Sequence, residues 1–555
     1  MTEHTFNYQQ LDIANEGGYI VAKPKLGEED SVTQWNNGLK PADTFLHTDS
    51  YSTFQNDKII LLLGRRGTGK TAIIRMLDHE ITTGQMKQYS LSCIVDSEDA
   101  FSELSTQIRS SPFFDFPSPD LINLLKNKWH FLFKIFIMQS LFDKNKHIAA
   151  KAKTQDLFVI KNYLQQEGLL DKGDALITTD PLLWFSNTIV EELIKIEYNH
   201  QKLGAVIAGL VKKSLTVEFK EAEKALKRIL DKEIFPALIM LDSLERYDIN
   251  DRITQNIIVS LLEAARGLYN NKSLKILAKV ALPSEIKPYL ILENADKYES
   301  MTIEIKWSYK NLLTMLAKRF YQNFEKNITH EELEKVGYKD GRNYIYEYIP
   351  DVVLTRGHIP IDTLIYVMRH TQKVPRQVIQ LFNLIFTYAD EVHDVSRIKE
   401  SEIIRKGVHI RLDTLISGVF CIYNAIQPQL DSVLRSILTD MYSEFSHEEL
   451  DKAIRDNKEI WKPLGLTKER IIELMLETGI LGILVNNAEN GEQEHSNIRI
   501  CEGEFQYQLA KSRMNWSRRS TFVIHPMFYE EYRCYVDLNT FCYPRPEEEE
   551  RIHYS

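Results

Sequence analysis

The residues best suited to chemistry lie between Lys58 and Ile74, in the stretch KIILLLGRRGTGKTAII. Gly64, Gly67, Thr68, Gly69, Lys70 and Thr71 fill the spacing G-x-x-x-x-G-K-S/T. Glycine has no Cβ, so the backbone there turns tightly and can aim its N–H groups inward. Such a loop, followed by a helix N-terminus, attracts anionic oxygens. In that arrangement the amides from Gly67 to Thr71 cradle phosphates. Lys70 sets a point charge on the β and γ oxygens, and the Thr71 hydroxyl takes one Mg2+ position. The alternative is a surface turn that happens to contain Gly-Lys-Thr.

A second stretch, FPALIMLDSLERYD from Phe235 to Asp248, is an apolar run ending in Asp242. A phosphate site of this type needs a carboxylate at the C-terminal end of a neighbouring strand, to hold the magnesium shell. Asp242 fits that place; its other reading is a cap on the following helix. Ser284 or Glu285, after the run LKILAKVALPSEI, reads either as a group beside the γ-phosphate or as an ordinary strand-to-loop turn. In TQKVPRQVIQLFN, Pro375 suits the first position of a helix. Arg376 then opposes the helix dipole in the first turn. A nearby phosphate would offset that, and a solvated surface arginine is the alternative.

The elements around these residues follow from periodicity. Ile60–Leu63 is short, apolar and uncharged, as a strand buried on both faces would be. Tyr89–Asp96, Ala237–Leu241, Leu274–Ile286 and Met301–Trp307 read as further strands, and TAIIRMLDHEI has helical spacing. Alternating strands and helices predict an α/β fold with a parallel sheet. Residues 117–235 form a long helical insert, which Ser118-Pro119-Asp120 opens with a helix-start signal. Trp129 and its phenylalanines read as core. Residues 1–57 are a polar lead-in with one or two short helices, 58–307 the core, and 308–405 a helical lid.

Residues 425–540 read helix, helix, helix, hairpin. Ser446 and Glu449 make a capping box, Thr467 opens the third helix, and Gly479 ends it. NIRICEGEFQYQLA and STFVIHPMF are the two strands of the hairpin, which makes the region a winged helix. Lys511, Arg513, Arg518 and Arg519 surround Trp516 with no acid between Phe505 and Ser520. That is either a grip on phosphate backbone or a protein-contact or solvated loop. Residues 541–555 are an acidic tail, and its PRPEEEERIHYS is expected to be disordered.

Bulk properties bound the rest. A chain of 555 residues argues for more than one domain, and 43% hydrophobic with 26% charged residues is ordinary for a globular protein. No apolar run reaches the ~18 residues of a membrane helix. The opening MTEHTFNYQQLD has no secretion signal, and five scattered cysteines give neither metal spacing nor a disulfide framework. The expected location is the cytoplasm. A net charge of -10 and a pI near 5.9 argue against bulk attraction to nucleic acid, so any DNA contact must come from a local patch. No G-x-S-x-G hydrolase motif and no NKxD-like guanine motif is present.

LLLGRRGTGKTAI, LIMLDSLER, VPRQVIQLFN and FVIHPMF occur in that order. Together they resemble bacterial P-loop ATPases of the origin-recognition-like and STAND-like branch of the AAA+ class. Many of these are encoded in mobile-element or phage-defence loci. The resemblance covers roughly residues 40–535. It implies ATP and Mg2+ as cofactors, with Lys70 and Thr71 on the triphosphate and Thr71 and Asp242 on the metal. Arg376 matches the lid arginine that senses the γ-phosphate. Where many AAA+ proteins have glutamate after the magnesium aspartate, this chain has Ser243, and Glu245 is the nearest substitute for the residue that polarises water. The implied activity is a slow, switch-like ATPase, in defence against phage or mobile DNA. Nucleotide state would set assembly and partner contact, with Lys70, Asp242, Glu245 and Arg376 as the catalytic set. The implied partners are further copies of the chain, double-stranded DNA through the C-terminal domain, and a separately encoded effector. The rival readings are a DNA-binding module with a structural ATP site and a nucleotide-dependent scaffold.

Overall fold

A computed structural model describes residues 26–28, 33, 45–96, 105–106, 118–142, 154–170, 216–242, 251–290, 292, 295–325, 328–393, 398–410, 412–484, 499–505, 516–547 and 550. The apolar run after Lys58 becomes strand β1 (Leu61–Gly64), and the segment after the glycines becomes helix α1 (Lys70–Thr82). Strand β2 (Leu91–Asp96) follows. Helices α2 (Ser118–Ser140), α3 (Thr154–Gln166) and α4 (Val217–Lys232) lie in the helical insert. The chain then returns to the sheet through β3 (Ala237–Asp242), α5 (Arg252–Asn270), β4 (Ile276–Pro283) and β5 (Thr302–Glu304).

The five strands pair in parallel in the order β2-β3-β4-β1-β5. Successive strand residues point to opposite faces, so a sheet covered on both sides needs continuous apolar runs. Leu61, Leu63, Ile239, Leu241, Val280 and Leu282 join the core that holds α2 and α5. Leu62, Leu238, Met240 and Ala281 join the opposite core, under Ile73, Ile74 and Leu77 of α1. Lys279 stands on β4 and is 1% exposed. Its ammonium donates to the carbonyls of Phe54, Asn56 and Ile59 at 2.7, 2.8 and 2.7 Å, which pins the short helix Asp49–Phe54 to the sheet. One expectation is corrected here. Asp242 does not end a strand next to β1, because β4 lies between.

The lid is built on helix α6 (Tyr309–Phe324). It contains an antiparallel hairpin, β6 (Val352–Leu354) with β7 (Pro360–Asp362), where only helices were expected. The β strands are three residues each, too short to show a period in the sequence. Helices α7 (Pro375–His393) and α8 (Ser401–His409) complete it, and α9 (Leu412–Ile426) connects to the last domain.

That domain runs α10 (Leu430–Leu438), β8 (Glu444–Ser446), α11 (His447–Asp456), α12 (Lys468–Glu477), β9 (Leu481–Leu484), β10 (Arg499–Glu504), β11 (Thr521–Ile524) and β12 (Thr540–Pro544). β8 and β9 both pair antiparallel to β11, and three helices pack around them, which is a winged-helix arrangement. The Ser446–Glu449 capping box and the Thr467 cap are formed as expected. The hairpin is not the expected one. β10 and β11 flank β9 and do not pair with each other. Gly482 and Gly503 leave room over one face of β9 and β10 for the buried Phe505 ring, which a Cβ on either glycine would meet at 2.8 or 2.6 Å.

The expected disorder of the tail is corrected for its described residues. Of PRPEEEERIHYS, Pro544 closes β12 beside β10, and Glu550 is 0% exposed. Its carboxylate accepts from Lys373 and Tyr543, so partners inside the fold replace water around the charge. Among the described residues, no helix is long and apolar enough to cross a membrane.

Candidate triphosphate site

The loop from Gly64 to Gly69 closes between the buried end of β1 and the first turn of α1. Gly67 has φ +84° and Gly69, the helix N-cap, has φ +95°. Both lie in the left-handed region that side chains resist. Thr68 is 4% exposed, and its hydroxyl donates to the Arg65 carbonyl at 2.7 Å. A Cβ on Gly64 would come within 2.5 Å of that hydroxyl oxygen, so the cradle requires glycine there too. Lys70 is 5% exposed and lies over the loop, its ammonium donating to the carbonyls of Gly64 and Arg65 at 3.0 and 3.3 Å. Thr71 follows in the first turn of α1. A compact loop with a lysine folded over it and a helix start beneath it fits a polyphosphate and its magnesium.

Asp242 ends β3 and is 2% exposed. Through β4, Leu241 is level with Leu61, since both align with Val280. Asp242 therefore stands one residue further along, two strand spacings or about 10 Å from the line of β1. That separation suits a carboxylate reaching a metal through its water shell, the usual habit of magnesium. Glu304, aligned with Leu63 on β5, has its carboxyl pushed up by burial. Glu245, with Ser243, lies outside the described residues.

Four contacts tie the loop to the rest of the chain. Arg376, in the first turn of α7, donates its backbone N–H to the Gly67 carbonyl at 3.3 Å. Trp307 donates its indole N–H to the Thr68 carbonyl at 2.9 Å. Arg65 donates to Glu285 at 3.4 Å and to the Thr478 carbonyl at 3.4 Å. Glu285, expected near the γ-phosphate or in a plain turn, is thus the buried partner of a loop arginine at the end of β4. The Thr478 carbonyl, at the end of α12, also accepts from the Gln372 amide at 2.8 Å. The winged-helix domain therefore rests on the glycine loop directly.

Sequence reasoning names Gly64, Gly67, Thr68, Gly69, Lys70, Thr71, Asp242, Glu245 and Arg376 as candidates, and the fold gathers the loop and Arg376 at one place. It misses Arg65, Trp307 and Thr478. Arg65 fills a free position of the motif, and the other two carry no local signal. In the wing, Arg518 and Arg519 are exposed, and Trp516 stacks on His447 with ring centroids 5.4 Å apart. Lys511 and Arg513 lie outside the described residues.

An ORC-CDC6-like family model matches residues 33–99, a segment that holds the glycine loop and spans about an eighth of the chain. No sequence among curated proteins matches. Among solved structures, the Aeropyrum pernix ORC1 protein in complex with DNA is 13% identical, with a TM-score of 0.30 over 78% of this chain and 81% of that one. Drosophila ORC bound to DNA is 10% identical, with a TM-score of 0.30 over 93% and 92%. The Aeropyrum pernix ORC2 protein in its ADPNP-ADP complexes is 10% identical, with a TM-score of 0.35 over 86% and 91%. Scores this low leave the fold to be argued from this chain's own topology.

Proposed function

We propose that this chain is an ATP-binding and ATP-hydrolysing AAA+-like switch. One observation carries the reading: a glycine loop at the end of an interior parallel strand, with Lys70 over it and α1 starting beneath it. The ORC-CDC6-like match over residues 33–99 supports it. The amides of the loop and Lys70 bind and orient the triphosphate. Thr71 and Asp242 hold Mg2+, which neutralises developing phosphate charge when bound. Arg376 is the lid residue placed to respond to the γ-phosphate. Glu245 takes the proton of the attacking water. The chemistry is phosphoryl transfer to water, driven by positioning and charge neutralisation.

The contact of Arg65 with both Glu285 and Thr478 favours a switch. A change at the loop reaches the winged-helix domain through one side chain. The exposed Arg518 and Arg519 beside Trp516 favour duplex DNA as the ligand of that domain. Assembly with further copies, recruitment of an effector, and a role in defence against phage or mobile DNA rest on the resemblance of the motifs alone.

The test is calorimetric titration of ATP into the parent and Lys70→Ala. We expect affinity to fall at least about tenfold, or 1.4 kcal/mol, because the charge on the β and γ oxygens is lost. Equal affinity would overturn the reading.

A further inference from the structure

The last described residues of the chain reach the glycine loop through two relays. A trans peptide points its C=O and the next N–H in opposite directions. A partner on the Thr68 carbonyl therefore fixes where the Gly69 N–H aims, and that amide belongs to the phosphate cradle. Trp307 is that partner, at 2.9 Å. Arg376 holds the preceding carbonyl, that of Gly67, at 3.3 Å, and the N–H of that peptide, Thr68's, donates to the Arg65 carbonyl at 3.1 Å, so this contact braces the turn of the loop. The aim of the Gly69 amide thus depends on where Trp307 stands, and the turn that carries it on where Arg376 stands.

Each of those two residues has a near neighbour in the chain that is bonded to one glutamate of the tail. Two residues after Trp307, the backbone N–H of Tyr309 donates to Glu547 Oε2 at 3.0 Å. Three residues before Arg376, the Lys373 ammonium donates to Glu550 Oε2 at 2.9 Å. Lys373 also donates to the Arg545 carbonyl and lies 5.0 Å from the Tyr543 ring centroid. It holds φ +53°, a left-handed turn that leads the chain into α7. Glu550 is 0% exposed, and it also accepts from the Tyr543 hydroxyl and, at 2.6 Å, from the Glu547 backbone N–H. The two glutamates therefore form one unit, anchored to β12.

We propose that Glu547 and Glu550 are positioning residues for the triphosphate loop, acting through Tyr309–Trp307 and Lys373–Arg376. The tail straps the lid so that the loop turn and the Gly69 amide are set before nucleotide arrives. This rests on the reading of Gly64–Thr71 as a triphosphate site.

The experiment uses the full chain and the variants Glu550→Gln, Lys373→Met, their double, and Lys373→Arg. Two quantities are read: the dissociation constant of a fluorescent ATP analogue, and hydrogen exchange of the amides from Gly67 to Lys70 without nucleotide. Each single variant should weaken binding roughly threefold to tenfold and speed exchange in the loop, while the double resembles the worse single, as members of one relay do. Lys373→Arg should retain parental values, because it keeps the charge and the donor. Unchanged affinity and unchanged exchange in Glu550→Gln would overturn the proposal, as would a double variant that simply adds the two losses. If Glu550→Gln does not fold, Glu547→Gln carries the same test with a less buried group. A parent that binds no nucleotide defeats the triphosphate reading, yet loop exchange still decides the strap: unaltered exchange in the variants overturns it.

Discussion

Arg376 meets Gly67 so closely that a Cβ on the glycine would lie 2.9 Å from the Cβ of the arginine. The arginine's backbone N–H completes the contact on the Gly67 carbonyl. The first turn of α7 and the glycine loop are therefore in direct contact, and a shift of α7 bears on the loop.

Gly67→Ala should disturb both. The φ of +84° costs an alanine about 1–2 kcal/mol, and relief of the clash must push α7 away from the loop. We expect a lower melting temperature and weaker ATP binding in the same variant. Thermal unfolding with and without ATP reads both, and parental values in the two would contradict the contact.

Asp242 and Glu245 should separate by what they disturb. Asp242→Asn loses turnover through the metal, so extra magnesium should restore part of it. Glu245→Gln should keep ATP bound and lose turnover, since only acceptance of a proton or orientation of water changes. Single-turnover hydrolysis across a magnesium series distinguishes them. Full turnover in Glu245→Gln would remove it from the mechanism.

Arg518 and Arg519 test the wing. Both are exposed, so changing them to alanine should leave stability within about 0.5 kcal/mol. If they contact phosphates, duplex affinity should weaken alike for all sequences, and the salt slope should flatten by roughly one unit per lost contact. ATP hydrolysis without DNA should not change. Fluorescent duplex titrations at several salt concentrations decide it, and equal slopes would assign the wing to a protein partner.

Acid should unfold the lid and winged-helix contacts early. Burial, helped by Arg369, pushes His525 down to about 3 and His370 well below its ordinary value. The native state keeps both rings neutral, while the unfolded chain binds protons below pH ~6.5. Their contribution is present above that pH and is lost progressively as pH falls below it. Urea midpoints at pH 7.5, 6 and 5 should fall in that order. His525→Gln should show a shallower fall, and an identical fall would exclude His525 as a source.

The sequence determined whatever is local. The spacing from Gly64 to Thr71 marked a glycine loop between a strand and a helix, because glycine conformations and the helix start are short-range properties. The uninterrupted apolar runs at Leu61–Leu63 and Ala237–Leu241 predicted strands covered on both faces, and Asp242 was visible as the polar end of one. Ser446 with Glu449 announced a helix by its own hydrogen bonds. Only the tertiary structure decided how distant pieces meet. The place of β4 between β1 and β3, and of β9 between β10 and β11, is a matter of sheet order, which no single strand encodes. Arg65 reaching Thr478, Trp307 reaching Thr68, and Glu550 reaching Lys373 join segments far apart along the chain. The acidic tail looked disordered for the same reason. Charge in a row predicts solvation unless buried partners wait elsewhere, and here Lys373, Tyr543 and the Tyr309 amide supply them.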